Sequence, residues 1–281
     1  MNALELINTG SNKLRQKKIF TSRLDAEILL SKILNKKREE ILINLDQKIC
    51  KNNVLKYKKL IQRRSLNEPV AYILKEKEFW SKNFFVSSDT LIPRPETELM
   101  VEKLVKIFKG NKISILDIGT GCGCILISLL SELNNSKGVG IDISKKAITV
   151  AKKNAKKHRM IDNTAFFNKS LDSEFNRKFD LIVSNPPYIK SKDLKNLSDD
   201  IKKYEPMLAL DGGNDGLDLI KKVIYKARNI LKFKGMLALE IGNEQYKKVS
   251  KILTTNNFRI EHLIYDYKEN VRCIISTYLK K

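Results

Sequence analysis

Ile113–Leu130, ISILDIGTGCGCILISLL, is the stretch on which the fold turns. ISILDI reads as a buried strand, and CILISLLSEL, from Cys124, reads as a helix. Between them lies Asp117-Ile118-Gly119-Thr120-Gly121-Cys122-Gly123, with glycine at alternate positions. Glycine lets the backbone turn tightly and come close to a ligand without a Cβ clash. Such a loop sits outside the carboxyl end of a strand, where doubly wound sheets bind ligands. GTGCG is neither the G-x-G-x-x-G of dinucleotide binders nor a P-loop with its Lys-Ser/Thr. The plainer alternative is a tight strand-to-helix turn. The strand–loop–helix setting, with Asp142 and Asn185–Tyr188 further along the chain, makes that the weaker option.

Towards the C-terminus the strand–helix rhythm continues. GVGIDI is a second strand, with a helix over Ser144–His158. TAFFN is a third strand and FDLIVS a fourth. Leu217, Ile220, Ile224, Ala227 and Leu231 form a helical stripe that Gly235 is expected to close. MLALEI is a fifth strand, Glu244–Thr254 a helix, and RIEHLIY and VRCIISTY a final β pair. Alternating β and α units imply an α/β fold: a doubly wound, mostly parallel sheet of seven strands with an antiparallel terminal strand.

Towards the N-terminus the pattern is different. Up to about Arg64 the chain reads as helices. Leu24, Ile28, Leu29 and Ile33 mark one apolar face, with Thr21 or Ser22 as N-cap; Val54, Tyr57, Leu60 and Ile61 mark another. Glycine is absent between Gly10 and Gly110, so few turns needing positive φ are expected there. Tyr72–Leu74 and Phe79–Val86 are β-prone, with a turn over Ser81-Lys82-Asn83, and Pro93 and Pro95 precede a helix near Glu96–Phe108. The expected division is a helical domain over 1–66, a hairpin linker over 67–90 and an α/β domain over 91–281.

The 281 residues are 42% hydrophobic, enough for a real core. No apolar run reaches the roughly 18 residues of a membrane span, and MNALELINTG does not read as a secretory signal, so a cytoplasmic protein is expected. Lys and Arg number 54 against 32 Asp and Glu, a net charge of +22. The surplus is mostly lysine scattered along the chain, a composition that A/T bias alone would give. It still favours weak, nonspecific association with RNA or the ribosome at low salt. Cys50, Cys122, Cys124 and Cys273 lack metal-ligand spacing, and His158 and His262 lie far from Cys122 and Cys124 in sequence, so no metal is expected.

Asp142 ends the second strand, where a carboxylate can accept both hydroxyls of a ribose; capping the next helix is the plainer role. Asn185-Pro186-Pro187-Tyr188 follows the fourth strand. Two prolines there end any ladder, because neither has a backbone N–H to donate.

The loop, the acid and NPPY together resemble the class I methyltransferases that use S-adenosylmethionine, and NPPY is the signature of those that methylate a planar nitrogen. Such a nitrogen is a poor nucleophile, because its lone pair is delocalised. The Asn185 side-chain oxygen and the Pro186 carbonyl would accept its two hydrogens, with the prolines holding that carbonyl in place. The Tyr188 ring would pack against the planar group.

LIPRPETE (Leu91–Glu98), the FW…FFVS stretch before it, YEPMLALDGGNDGLD (Tyr204–Asp218) and LALEIGNEQ (Leu237–Gln245) resemble, more narrowly, the release factor glutamine methyltransferases. The resemblance implies a substrate, the glutamine of the Gly-Gly-Gln loop in peptide chain release factors, and a product, S-adenosylhomocysteine. It implies that Gly119, Thr120, Gly121, Cys122, Gly123 and Asp142 bind the cofactor. Asn185 would touch cofactor and substrate, Asn185–Tyr188 would hold the amide, Pro95–Thr97 would wall the pocket, and the helical domain would grip the factor. A DNA or RNA base N-methyltransferase is the alternative. The chain departs from the family in having Lys169-Ser170, with Asp172 nearby, where an acidic residue and an aromatic usually meet adenine, and Leu74-Lys75 where a Thr-Gly pair is common. Trp80 reads as a packing anchor, His158 as solvated at a helix end, and Glu240 as structural.

Overall fold

A capping box starts the first helix, α1 (Ala3–Gln16). In the computed structural model, which describes residues 1–280, the Asn2 side chain accepts from Glu5 N at 2.9 Å and the Glu5 carboxylate accepts from Asn2 N at 3.1 Å. The helices α2 (Ser22–Leu34), α3 (Arg38–Ile43), α4 (Lys51–Arg64) and α5 (Val70–Leu74) follow. Leu6, Ile7, Leu14, Leu29, Leu30, Tyr57, Ile61 and Ile73 form their common core. The apolar face of α2 is rotated from the expected one: Leu24 is 42% exposed, while Ala26, Leu29 and Leu30 are buried. Thr21 does stand at the N-cap, but its hydroxyl donates to the Asp25 carboxylate at 2.9 Å instead of capping the backbone.

Asp25 is itself buried and accepts from Arg64 Nε at 2.7 Å. Truncating Arg64 to alanine would leave that buried carboxylate without its charge partner, with only the Thr21 hydroxyl bonded to it. The expected result is a loss of about 3–5 kcal/mol, read as a lower urea midpoint at unchanged slope. A midpoint shift under about 0.5 kcal/mol, the ordinary surface value, would contradict it.

Three expectations for this region are corrected. Tyr72–Leu74 belongs to helix α5, which packs against α2 and α4, so the unit defined by internal contacts runs Met1–Glu76 and also takes in Ser198–Tyr204. Positive φ is common despite the missing glycines. Lys18, Asn35, Asn67 and Lys75 all adopt it, and Lys75 at φ +57 keeps the left-handed helix end that a glycine would give. Finally, the hairpin of β1 (Glu76–Phe79) and β2 (Lys82–Phe85) turns at Trp80-Ser81, both at φ +52, rather than at Ser81–Asn83. Two left-handed residues make the two-residue turn whose twist matches the strands.

The second unit begins at Lys77 and is built on one sheet. Its helix α6 (Pro95–Phe108) has Pro95 at its first turn, as expected. Then come β3 (Ser114–Ile118), α7 (Cys124–Glu132), β4 (Lys137–Asp142), α8 (Lys145–Lys157), β5 (Thr164–Asn168), β6 (Phe179–Ser184), the short α9 (Asp199–Tyr204, grouped with the first unit), α10 (Asp218–Ile230), β7 (Leu231–Glu240), α11 (Tyr246–Thr255), β8 (Phe258–Tyr265) and β9 (Val271–Tyr278). The seven strands lie in the order β5-β4-β3-β6-β7-β9-β8. β5, β4, β3, β6 and β7 pair in parallel, and β9 runs antiparallel between β7 and the edge strand β8. Gly235 does not close α10: the helix stops at Ile230, and Gly235 lies inside β7 beside an irregularity in its pairing with β6.

The hairpin leans on α8. Asn154 accepts from Phe85 N at 2.7 Å and donates to Phe85 O at 2.9 Å and to Cys122 O at 2.8 Å, so one buried amide ties the hairpin to the glycine loop. The Trp80 indole donates to Glu132 at 2.9 Å. His158 is half-buried rather than solvated: its ring sits 4.7 Å from that of Phe84, and burial holds its pKa below the ordinary value. Among the described residues no helix is long and apolar enough to cross a membrane, and no cluster of His, Cys, Asp and Glu is arranged to hold a metal.

Candidate active site

Strand register brings the three motifs together. Ile118, the last residue of β3, lies beside Ile141 of β4 and Ser184 of β6. The glycine loop from Gly119, Asp142 and Asn185 therefore emerge side by side at the carboxyl ends of adjacent strands. The β3–β6 boundary is where the strand order reverses, the usual crevice for a ligand in such sheets.

The loop is built as a cradle. Gly119, Gly121 and Gly123 take φ of +73, +54 and +82. A Cβ on Gly119 would meet nothing within 4 Å, and one on Gly121 only the Gly119 carbonyl at 4.0 Å. Backbone there borders open space, which suits a ligand lying directly on it. Gly119 N and Thr120 N both donate to Ile141 O, at 2.9 and 3.0 Å, and Gly121 N donates to Asp142 Oδ2 at 3.0 Å. Cys122 is buried, so its side chain is not part of the loop surface. The Thr120 hydroxyl turns inward and donates to Asp117 Oδ2 at 2.7 Å.

Asp142 is not the cap of α8; Ser144 is, accepting from Ala147 N at 3.2 Å. Asp142 Oδ1 accepts from Ser144 N at 2.8 Å. Each oxygen thus spends one lone pair on the backbone and keeps another for a hydroxyl. Burial pushes its carboxyl above the ordinary range, against the pull of those two N–H groups. Beyond it Ile143 is 62% exposed, an apolar surface beside the acid that the strand pattern did not single out. Asp117 opens the loop motif, and sequence reading assigns it no separate role. It is fully buried beneath the loop, its Oδ1 has no partner among the described residues, and burial lifts its pKa to about 7.

Asn185 is half-buried, Pro186 is buried, and no peptide bond among the described residues is cis. Asn185 Nδ2 donates to Thr97 Oγ1 at 3.4 Å, so its amide oxygen faces away from α6. Among the described residues nothing donates to that oxygen or to the Pro186 carbonyl. The Tyr188 hydroxyl donates to Glu240 Oε1 at 3.2 Å and accepts from Arg272 Nη2 at 3.3 Å. The Arg272 guanidinium lies 5.6 Å from the centre of the Tyr188 ring, and burial, with Glu240 next, pushes the phenol up to about 12, so it stays protonated.

The rest of the loop after β6 is clamped by residues whose individual roles sequence reading did not assign. Ile189 N donates to Leu210 O at 3.1 Å and Gly212 N to Ile189 O at 2.8 Å. Gln245 Nε2 donates to Tyr188 O at 3.0 Å and to Gly216 O at 3.1 Å, while its own oxygen accepts from Gly242 N at 2.8 Å. Arg94 Nη2 pairs with buried Glu205 at 2.7 Å, and Ile92 N donates to the same carboxylate at 3.2 Å. Thus the PRPETE, DGGNDG and EIGNEQ stretches meet at one place, around NPPY. Glu240, expected to be structural, bonds two residues of this cluster, Tyr188 and Thr97.

A seven-stranded doubly wound sheet with a glycine cradle on its first parallel strand defines the class: this is a methyltransferase fold. Residues 93–212 match the family described as "Methyltransferase small domain", and residues 5–74 match "PrmC N-terminal domain". A methyltransferase structure from Pyrococcus furiosus superposes with a TM-score of 0.53 at 16% identity, over 70% of this chain and 89% of that one, and so shares the fold. The release factor glutamine methyltransferase of Buchnera aphidicola from Acyrthosiphon pisum is 38% identical over 98% of both chains. Its counterpart from the Schizaphis graminum strain is 43% identical over 89% of this chain and 90% of its own. The chain belongs to the release factor glutamine methyltransferase family.

Proposed function

We propose that the protein transfers a methyl group from S-adenosyl-L-methionine to the side-chain amide nitrogen (N5) of the glutamine in the Gly-Gly-Gln loop of peptide chain release factors, leaving S-adenosyl-L-homocysteine and modulating translation termination. The observation that carries this is the pair of consecutive acceptors, Asn185 Oδ1 and the Pro186 carbonyl, on a rigid loop beside the glycine cradle. A primary amide offers two N–H donors in a plane, and two fixed acceptors suit it.

S-adenosyl-L-methionine supplies a methyl on a positively charged sulfur. Gly119 and Gly121 would leave room for it, the Asp142 oxygens would accept its ribose hydroxyls, and Ile143 would give an apolar surface beside them. Thr120 and Gly123 shape the loop, and the backbone of Cys122 completes it. On the substrate side Asn185 and Pro186 accept the amide hydrogens and aim the nitrogen, while Pro187 and Tyr188 set the wall. Binding both N–H groups favours the arrangement in which nitrogen density faces the methyl carbon. Orientation and preorganised dipoles are the main contributions, not a strong base. After transfer the nitrogen gives up one proton to water.

The helical unit is read as the part that grips the factor, the hairpin as a linker, and the cytoplasm as the place of work. Weak association with RNA or the ribosome follows from the basic surface. Incubation with methyl-labelled donor tests the whole reading. Label is expected on an intact release factor and absent from its Gln→Ala variant, from RNA and from DNA. Label on nucleic acid alone would favour base methylation, and label on the Gln→Ala factor would place the methyl elsewhere.

A further inference from the structure

We infer that Glu240 is a positioning residue: its buried carboxylate fixes the direction of a hydrogen-bond chain that turns the Asn185 oxygen toward the substrate. This rests on the reading of Asn185 as an acceptor for the substrate amide. An asparagine side chain presents nearly the same shape in two orientations, with the oxygen and the NH2 exchanged. Only one of them serves a donor substrate, so something must choose.

The chain of contacts makes that choice. Thr97 Oγ1 lies 2.6 Å from Glu240 Oε2, the spacing of a hydroxyl donating to a carboxylate. A carboxylate only accepts, so the single Thr97 proton is committed to it. That leaves Thr97 lone pairs alone for Asn185, 3.4 Å away, and Asn185 must present Nδ2 to them. The Tyr188 hydroxyl is committed to the second oxygen of Glu240 in the same way, with Arg272 behind it. All the dipoles therefore point at one buried anion. Burial raises the Glu240 carboxyl above its ordinary range, and Thr97, Arg272 and Tyr188 pull against that rise. Glu240 reaches this place as the last residue of β7, paired with Cys273 of β9, and its carboxylate oxygens accept from Thr97 and Tyr188.

A glutamine at position 240 keeps the shape but offers one oxygen to two hydroxyl donors, so one hydroxyl must reverse. Thr97→Val cuts the relay outright, and Thr97→Ser keeps it. Both Glu240→Gln and Thr97→Val are expected to lower kcat about 10-fold or more, with the donor Kd within about threefold of wild type. Thr97→Ser is expected to recover most of the loss seen with valine, an outcome that side-chain packing alone would not give. If kcat in Glu240→Gln or Thr97→Val stays within threefold of wild type, or if serine does no better than valine, the inference is wrong. A second readout needs no methyl acceptor. In wild type the Asn185 side-chain NH2 protons should give nuclear Overhauser contacts to Thr97, and these should weaken or vanish in Glu240→Gln. Unchanged contacts overturn the inference. A wild-type enzyme that labels no release factor would instead overturn the functional reading, and the spectra would still decide the role of Glu240.

Discussion

Asn185→Ala is expected to lower kcat by about 10²-fold or more, the scale of losing one preorganised polar contact to a reacting group. The side chain supplies the amide oxygen to which nothing in the described structure donates, and Pro186 alone cannot hold both hydrogens of a planar nitrogen. With one acceptor gone the amide is free to rotate about the remaining bond, and the fraction aligned for in-line attack falls. Affinity for the donor should change much less, because the glycine loop and Asp142 stand on β3 and β4 and keep their own hydrogen bonds. Single-turnover methyl transfer, combined with calorimetric binding of S-adenosylhomocysteine, separates the two effects. Near-wild-type turnover in the variant would remove Asn185 from the mechanism.

Gly216→Ala is expected to be nearly as damaging, although Gly216 takes no part in the chemistry. It sits at φ +74, and a Cβ there would lie 2.5 Å from the Tyr188 carbonyl oxygen and 2.7 Å from Gln245 Nε2. Those two atoms are bonded to each other, so the added methyl would prise apart the clamp that holds the end of NPPY. The left-handed backbone costs about 1–3 kcal/mol of stability for a non-glycine residue. A displacement of the loop by about 1 Å costs about 10²-fold in turnover. Gly110→Ala is the control. Its φ is +80 but a Cβ there meets nothing within 4 Å, so it should show the backbone cost with kcat unchanged. Equal kcat in the two variants would show that the clamp does not position the catalytic loop.

The sheet was legible because its signal is local. Each strand is a short apolar run and each helix a periodic stripe, so the alternation from Ile113 onward fixes the class, and the glycines, Asp142 and Asn185 fall at strand ends by counting alone. The turns were less legible. Trp80-Ser81 carries none of the Asn-Gly chemistry that marks a two-residue hairpin, and Lys75 holds a left-handed helix end with no glycine to announce it. Tyr72–Leu74 looked β-prone from its side chains, yet packing against α2 and α4 makes it helical: tertiary context overrode propensity.

The supporting network was the hardest to read. Glu240 is separated from Thr97 by 143 residues and from Tyr188 by 52, and Thr97 from Asn185 by 88. No spacing rule links such positions; they meet only once β7 is placed beside β6 and α6 is laid over the strand ends. A carboxylate at a strand end looks structural until its two hydroxyl partners are known. The same holds for Gln245, which donates to the Tyr188 and Gly216 carbonyls more than 25 residues away, and for Gly216, whose missing Cβ leaves room for that clamp.

The central claim is geometric: two fixed oxygens bind the two hydrogens of a carboxamide so that its nitrogen faces the methyl donor. A crystal structure of the protein with S-adenosylhomocysteine and a glutamine-bearing release-factor fragment measures it directly. The account predicts the glutamine nitrogen within hydrogen-bonding distance of both Asn185 Oδ1 and the Pro186 carbonyl, with its face toward the sulfur. A glutamine bound with its carbonyl oxygen against Asn185, or seated away from this corner altogether, would contradict it.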